Sequence, residues 1–254
     1  LNVMGLQGSG PLRVLEPSAG IGNFMGLLPQ GYDADFLTVE LDPTTAAISK
    51  YLYPKARHLN NGFQNVELQG ARFDLVVGNP PFGKQTLYDP NFPELRNFSI
   101  HNYFLAKSLS LLRPGGIGAF VVSRFFMDAA DPAAREHIAE YADLLGAVRL
   151  PETAFRQNAL TDVTTDILFF RKHDGPRIRS TDWTQTATIE ALDTKEGGTR
   201  PAVINKYFAE LPGQIIGNMV YSGGMFQDAL NCVAPSDIDL GAEISKRVQV
   251  LPPM

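Results

Sequence analysis

From Leu12 to Ser123 the chain alternates short runs of apolar and β-branched residues with amphipathic stretches, and this alternation restricts the fold more than any single motif. Strands that alternate with helices read as βαβ units wound around a parallel sheet. Strands are predicted over Leu12–Glu16, Asp35–Glu40, Phe73–Gly78 and Gly116–Ser123, with a weaker one near Arg57–Leu59. Helices are predicted over Gly22–Leu28, Thr44–Tyr53 and Ser99–Arg113, the last stopped by Pro114-Gly115-Gly116. Asp131-Pro132 supplies an N-cap and a first-turn proline for a helix reaching about Asp143. Leu144–Leu150 and Val163–Arg171 are nearly continuous in apolar or β-branched residues, as strands covered on both faces are, and they bring the strand count to seven.

After Arg171 the composition turns polar and turn-rich through Arg171-Lys172-His173-Asp174-Gly175-Pro176. This divides the chain into a catalytic domain over residues 1–174 and a C-terminal extension over 175–254, which is read as leading into further domains of a longer protein. The extension is predicted to hold a helix over Ala202–Leu211, a Gly-Gly turn at 223–224 and a helix after Ser236. With 254 residues, 44% of them hydrophobic and 19% charged, the chain has ample material for a buried core, and disordered and collagen-like classes are excluded. No apolar run approaches the ~20 residues a membrane span needs, and no signal peptide is legible, so a cytoplasmic location without membrane contact is expected. A single cysteine, Cys232, excludes an internal disulfide, and the four histidines have no metal-ligand spacing, so no metal is expected. The net charge of −5 means that any nucleic-acid contact must be local. Arg171, Lys172, Arg177 and Arg179 form the best basic cluster for it.

Two loops carry the chemistry. Glu16-Pro17-Ser18-Ala19-Gly20-Ile21-Gly22-Asn23-Phe24 follows the first strand, at the carboxyl end where open α/β sheets bind ligands. A nicotinamide-cofactor loop would place a third glycine where Met25 stands, and Glu16 suits a cationic ligand better than a pyrophosphate. The second strand ends at Glu40, where an acid can accept hydrogen bonds from both hydroxyls of a ribose. The second loop, Asn79-Pro80-Pro81-Phe82, directly follows Phe73–Gly78. Two prolines stiffen it and remove two N–H donors. The Asn79 side-chain oxygen and the Pro80 carbonyl can then accept both hydrogens of an exocyclic amine, drawing its lone pair out of the ring. Phe82 offers a face on which a planar base can stack.

Glu16 to Phe24, Val39-Glu40-Leu41-Asp42, Asn79 to Phe82 and the segment around Arg113-Pro114-Gly115-Gly116 resemble, in order and spacing, the motifs of the N6-adenine DNA methyltransferases. The resemblance covers roughly residues 10–172. Leu150–Phe155, Asn158 and Thr161–Leu168 add a likeness to the methylase parts of very large methylase-helicase proteins of phages and plasmids. It implies a Rossmann-like class I methyltransferase fold with sheet order 3-2-1-4-5-7-6, strand seven antiparallel, and S-adenosylmethionine as methyl donor. The donor's methionine end is then expected on Glu16, Ala19, Gly20 and Gly22, with Ser18, Asn23, Phe24 and Asn79 as further donor-binding residues. Its ribose is expected on Glu40 and its adenine on Leu41, Phe63, Gln64 and Phe104. Phe82 and Phe155 are expected on the flipped target base. The implied partner is DNA, with helicase or target-recognition modules in the same full-length protein and an upstream Thr-Pro-containing segment covering the donor. Alternative readings of the same loops are an RNA-base or protein-glutamine methyltransferase, and a non-catalytic module of a larger DNA-processing protein.

Overall fold

The structure is a computed structural model that describes residues 10–155, 163–175, 182–194, 197–222 and 229–251. β1 (Leu12–Glu16), β2 (Ala34–Glu40), β3 (Arg57–Asn60), β4 (Phe73–Gly78), β5 (Leu112–Ser123), β6 (Ala142–Leu150) and β7 (Thr165–Lys172) form one seven-stranded sheet in the order β3-β2-β1-β4-β5-β7-β6. β1 to β5 pair in parallel, and β7 runs antiparallel to both β5 and β6. This is the expected order with its one reversed strand.

Two of the helices are started by capping side chains. Asp42 accepts from Thr45 N at 2.7 Å ahead of α2 (Pro43–Leu52), and Pro43 occupies the first turn, where a missing N–H costs nothing. Ser99 caps α3 (Ile100–Ser110) by accepting from Asn102 N at 3.3 Å. α1 (Asn23–Gly26), α4 (Phe125–Asp128) and α5 (Ala133–Ala139) are short.

Three expectations are corrected. Pro114-Gly115-Gly116 does not end a helix. α3 stops at Ser110 and β5 begins at Leu112, which pairs with Phe73 before a register shift. The Pro-Gly-Gly sits in that irregularity, where proline and glycine are tolerated in a strand. Gly115 adopts φ +72°, and a Cβ on Gly116 would lie 2.9 Å from two backbone carbonyl oxygens. The helix from Asp131 ends at Ala139, because Ala142 already pairs with Lys172 in the sheet. The predicted helix over Ala202–Leu211 is half strand: β8 (Thr186–Asp193) and β9 (Thr199–Asn205) form a hairpin, and only α6 (Lys206–Glu210) is helical. Ala202 and Ile204 are buried while Val203 is exposed, and Asn205 then caps α6 by accepting from Tyr207 N at 2.9 Å.

β10 (Asn218–Ser222) pairs antiparallel with β11 (Ala229–Val233), and α7 (Leu240–Gln249) is the helix expected after Ser236. The predicted turn at 223–224 lies outside the described residues. Trp183, Ile204, Phe208 and Cys232 share one hydrophobic cluster with Phe120, Leu168 and Phe170 of the sheet. On the other sheet face Leu251 packs with Leu12, Val14, Leu75 and Ile117. Among the described residues no helix is long and apolar enough to cross a membrane, and no cluster of histidine, cysteine and carboxylate side chains is arranged to hold a metal ion.

One buried polar network joins the sheet to the residues beyond it. Arg149 of β6 donates to both carboxylate oxygens of Asp166 at 2.8 and 2.9 Å, and to Asp128 at 2.9 Å. Asp128 also accepts from Asn205 N at 2.9 Å, and Asn205 donates from its side chain to the carbonyls of Met127 and Trp183.

Candidate active site

The carboxyl ends of β1, β2 and β4 lie side by side, because these strands are parallel neighbors. β1 ends at Glu16, which is 1% exposed and whose Oε2 has no hydrogen-bond partner among the described residues. Burial, with Glu40 nearby as a second cause, pushes its carboxyl up to about 8. The chain then turns through Gly20 at φ +56° and Gly22 at φ +90°, conformations that cost glycine little and other residues more. A Cβ on Gly20 would meet nothing within 4 Å, whereas one on Gly22 would lie 2.6 Å from Met25 Cε and 2.7 Å from Tyr53 Cε2. Gly20 therefore faces open space and Gly22 is the packed side of the turn.

Glu40 is held rather than free. Its Oε2 accepts from Gly20 N at 2.8 Å and its Oε1 from Asp42 N at 2.9 Å, so each oxygen keeps lone-pair capacity for another donor. Asn60, paired with Glu40 in the sheet, donates to the carbonyls of Glu40 and Leu41 at 2.9 and 3.1 Å. The sequence gives no signal for Asn60 beyond its position at a strand end. Leu41 is 72% exposed beside it. Ala19 is buried and anchored by its N–H on Val39 O, while Asn23 is exposed and Phe24 half-buried on α1.

The tetrapeptide is tied to this loop. Ser18 Oγ donates to the Asn79 backbone carbonyl at 3.0 Å, a contact that does not use the Asn79 side chain, and Asn79 is exposed. Pro80 is buried, Pro81 half-buried and Phe82 46% exposed. The Phe82 ring meets His101 edge-on at 5.2 Å, and His101 in turn meets Phe126 at 6.3 Å. Burial lowers the His101 imidazole to about 4, so it is a neutral wedge behind Phe82. Sequence reasoning assigned it no role.

The remaining residues predicted to touch donor or base follow β3, lie on α3 or follow β6, and the segment after β3 adjoins Glu40 through Asn61 N, which donates to the Glu40 carbonyl at 3.1 Å. Phe63 and Phe104 are both buried, with ring centroids 5.0 Å apart, and the Gln64 side chain folds over Gly62. Phe155 is half-buried against Val148, Leu150 and Ile216. Asn158, Thr161, Arg177 and Arg179 lie outside the described residues. Of the expected basic cluster, Arg171 pairs with Asp174 at 2.9 Å and Lys172 donates to the Ser110 carbonyl, so both make contacts within the chain.

The donor set at β1 and β2 fits a ligand that is cationic and carries vicinal hydroxyls: an orphaned buried carboxylate, an oriented second carboxylate, and a glycine cradle open at Gly20. In the ligand-free protein Glu16 keeps its proton to about pH 8, whereas the unfolded chain ionizes near 4.5. The unfolded state therefore binds fewer protons between those values, and stability falls as pH rises through that window. Glu16→Gln is expected to flatten this slope and to raise Tm at pH 8. A melting series from pH 5 to 8 with the same slope in both proteins would overturn the assignment.

Sheet order and reversed seventh strand define the fold of the class I methyltransferases, and a Listeria monocytogenes protein described as a class I S-adenosylmethionine-dependent methyltransferase superposes with a TM-score of 0.58 at 21% identity, covering 69% of this chain and 58% of that one. Residues 37–153 match the model of the Eco57I restriction-modification methylase family, which bears out the family resemblance read from the sequence. The "Defense against restriction protein B" of Escherichia phage P1 is 28% identical over 195 residues, 75% of this chain and 8% of that protein. The "Type II methyltransferase M.XamI" of Xanthomonas campestris pv. amaranthicola is 26% identical over 165 residues, 57% of this chain and 31% of that enzyme. The chain thus spans less than a third of the length of either relative.

Proposed function

We propose that this chain transfers a methyl group from S-adenosylmethionine to the N6 amine of an adenine flipped out of DNA. The observation that carries the reading is the Ser18–Asn79 hydrogen bond, which joins the glycine loop to the tetrapeptide at adjacent strand ends. S-adenosylmethionine supplies an electrophilic methyl group on a sulfonium sulfur. Glu16, Ser18, Ala19, Gly20, Gly22, Asn23 and Phe24 would hold its methionine end, with the Glu16 carboxylate ionizing against the ligand's positive charge. Glu40 would accept from the ribose hydroxyls, and Leu41, Phe63, Gln64 and Phe104 would bound the adenine.

The Asn79 side-chain oxygen and the Pro80 carbonyl would accept the two N6 hydrogens, freeing the nitrogen lone pair for attack. No strong base need act first: the new N–C bond would form as the S–C bond breaks, its electron pair returning to sulfur to leave neutral S-adenosylhomocysteine, and the amine proton, far more acidic once the nitrogen is methylated, would pass to water. Phe82, backed by His101, would stack on the extruded base, with Phe155 as a second aromatic. Target recognition and strand separation would come from other modules of a longer protein, in keeping with the small fraction of each relative that this chain spans.

The test offers isotope-labeled S-adenosylmethionine with DNA, RNA and protein. Label recovered as N6-methyladenine from DNA is expected. Label in RNA or in protein glutamine alone would replace the substrate. Donor binding without transfer to any substrate would favor a non-catalytic module.

A further inference from the structure

We propose that Lys107 and Asp89 form a buried positioning latch that fastens the loop after the catalytic tetrapeptide to the loop after β3. The latch rests on the reading above, in which Asn79 to Phe82 meet the target base and Phe63 and Gln64 bound the donor adenine; residues 83–98, which carry Asp89, follow directly on the first of these and Val66 on the second.

Both side chains are wholly buried, and their ion pair measures 2.8 Å. Lys107, on α3, spends all three ammonium donors: on Asp89 Oδ2, on the Phe63 carbonyl at 2.7 Å and on the Val66 carbonyl at 3.3 Å. Asp89, ten residues beyond Asn79, also accepts from Tyr103 Oη at 2.6 Å and from Asn91 N at 2.9 Å. The rings of Phe63, Phe92 and Tyr103 surround the ammonium at 4.5, 5.1 and 5.8 Å. The cluster touches three separate segments, and neither charge belongs to the catalytic loops.

Stability alone does not account for it. A buried ion pair is commonly matched or surpassed by apolar residues of similar volume, because each charge loses its hydration. What the pair supplies is geometry. Two carbonyls next to Phe63 are fixed relative to a carboxylate in the 83–98 loop, so the donor side and the target side of the cleft are set by one cation. Walls that are not held in place must be ordered by the ligands as they bind, which weakens the binding of both donor and DNA.

The test uses the full chain. Lys107→Met alone strands the Asp89 carboxylate and is expected to lower Tm. The decisive variant is Lys107→Met with Asp89→Asn, which removes both charges together and keeps an acceptor for Tyr103. In that double variant S-adenosylmethionine affinity measured without DNA is expected to fall about tenfold and KM for a DNA oligonucleotide to rise about fivefold, with kcat at saturation within about twofold of wild type. Cys232→Ala, at a buried residue of β11 that takes no part in the ion pair and donates from Sγ to the Ile216 carbonyl at 3.3 Å, controls for lost stability and is expected to change neither affinity. Unchanged donor affinity and KM in the double variant, or a loss confined to kcat, would overturn the latch. A wild-type chain that binds no S-adenosylmethionine would instead sink the underlying reading, and the latch with it.

Discussion

Asn79→Ala is expected to reduce methyl transfer by roughly 10²–10³-fold or more, the cost of deleting one oriented polar group at a reacting center. S-adenosylmethionine affinity should stay within a few-fold, because the contact that ties this residue to the glycine loop runs through its backbone carbonyl to Ser18 Oγ and survives the substitution. The side chain is exposed, so stability should change by no more than about 0.5 kcal/mol. Single-turnover transfer and calorimetric donor binding separate these effects. A variant that transfers at the wild-type rate would remove the amine-acceptor mechanism. One that loses transfer and donor binding together would place Asn79 with the cofactor loop instead. Asn79→Asp keeps an acceptor oxygen in nearly the same volume, whereas Asn79→Leu keeps the volume without an acceptor; only the first is expected to retain more activity than the alanine variant, an ordering that a purely steric role for Asn79 would not produce.

The parts of this site that could be read from the sequence are those whose chemistry is local. Glycines at 20 and 22 after a strand, an acid at the end of the next strand and Asn-Pro-Pro-Phe at the end of β4 each announce a backbone requirement within a few residues, and periodicity supplies the sheet that aligns them. The latch was not legible. Lys107 and Asp89 lie 18 positions apart, one in a predicted helix and the other in a stretch where no element is predicted, and each taken alone looks like a solvated charge. His101 was hidden similarly, since nothing in its neighbors says that it wedges behind Phe82. The strand β9 was missed because Ala202 to Leu211 consists largely of residues compatible with a helix, and only its burial against the sheet imposes the two-residue period. Pro114-Gly115-Gly116 misled for the opposite reason: strong helix-stopping residues serve a strand irregularity equally well once Leu112 has paired with Phe73.

The largest stability effect is expected at Arg149. Its guanidinium is inaccessible to solvent and is gripped by Asp166 and Asp128, with its plane over the Phe208 ring at 4.3 Å. Asp166→Ala would leave this cation with one shared carboxylate in a site that water cannot reach, and breaking a buried pair from one side costs about 3–5 kcal/mol. Against a total stability of about 5–15 kcal/mol, that is a large share, and for a chain of this size it corresponds to a fall in Tm of roughly 10 °C. Removing both partners is a different experiment. In Arg149→Met with Asp166→Leu no charge of that pair is left behind, while Asp128 keeps Arg124 at 3.3 Å and the Asn205 N–H. The double variant is therefore expected to recover most of the lost stability. The same comparison reads the role of the network in the fold, because Asp128 and Asn205 connect the helix after β5 to the hairpin formed by β8 and β9. Thermal melts followed by circular dichroism would decide it. A shift below about 2 °C in Asp166→Ala, or a double variant no better than the single one, would show that the network does not hold these elements together.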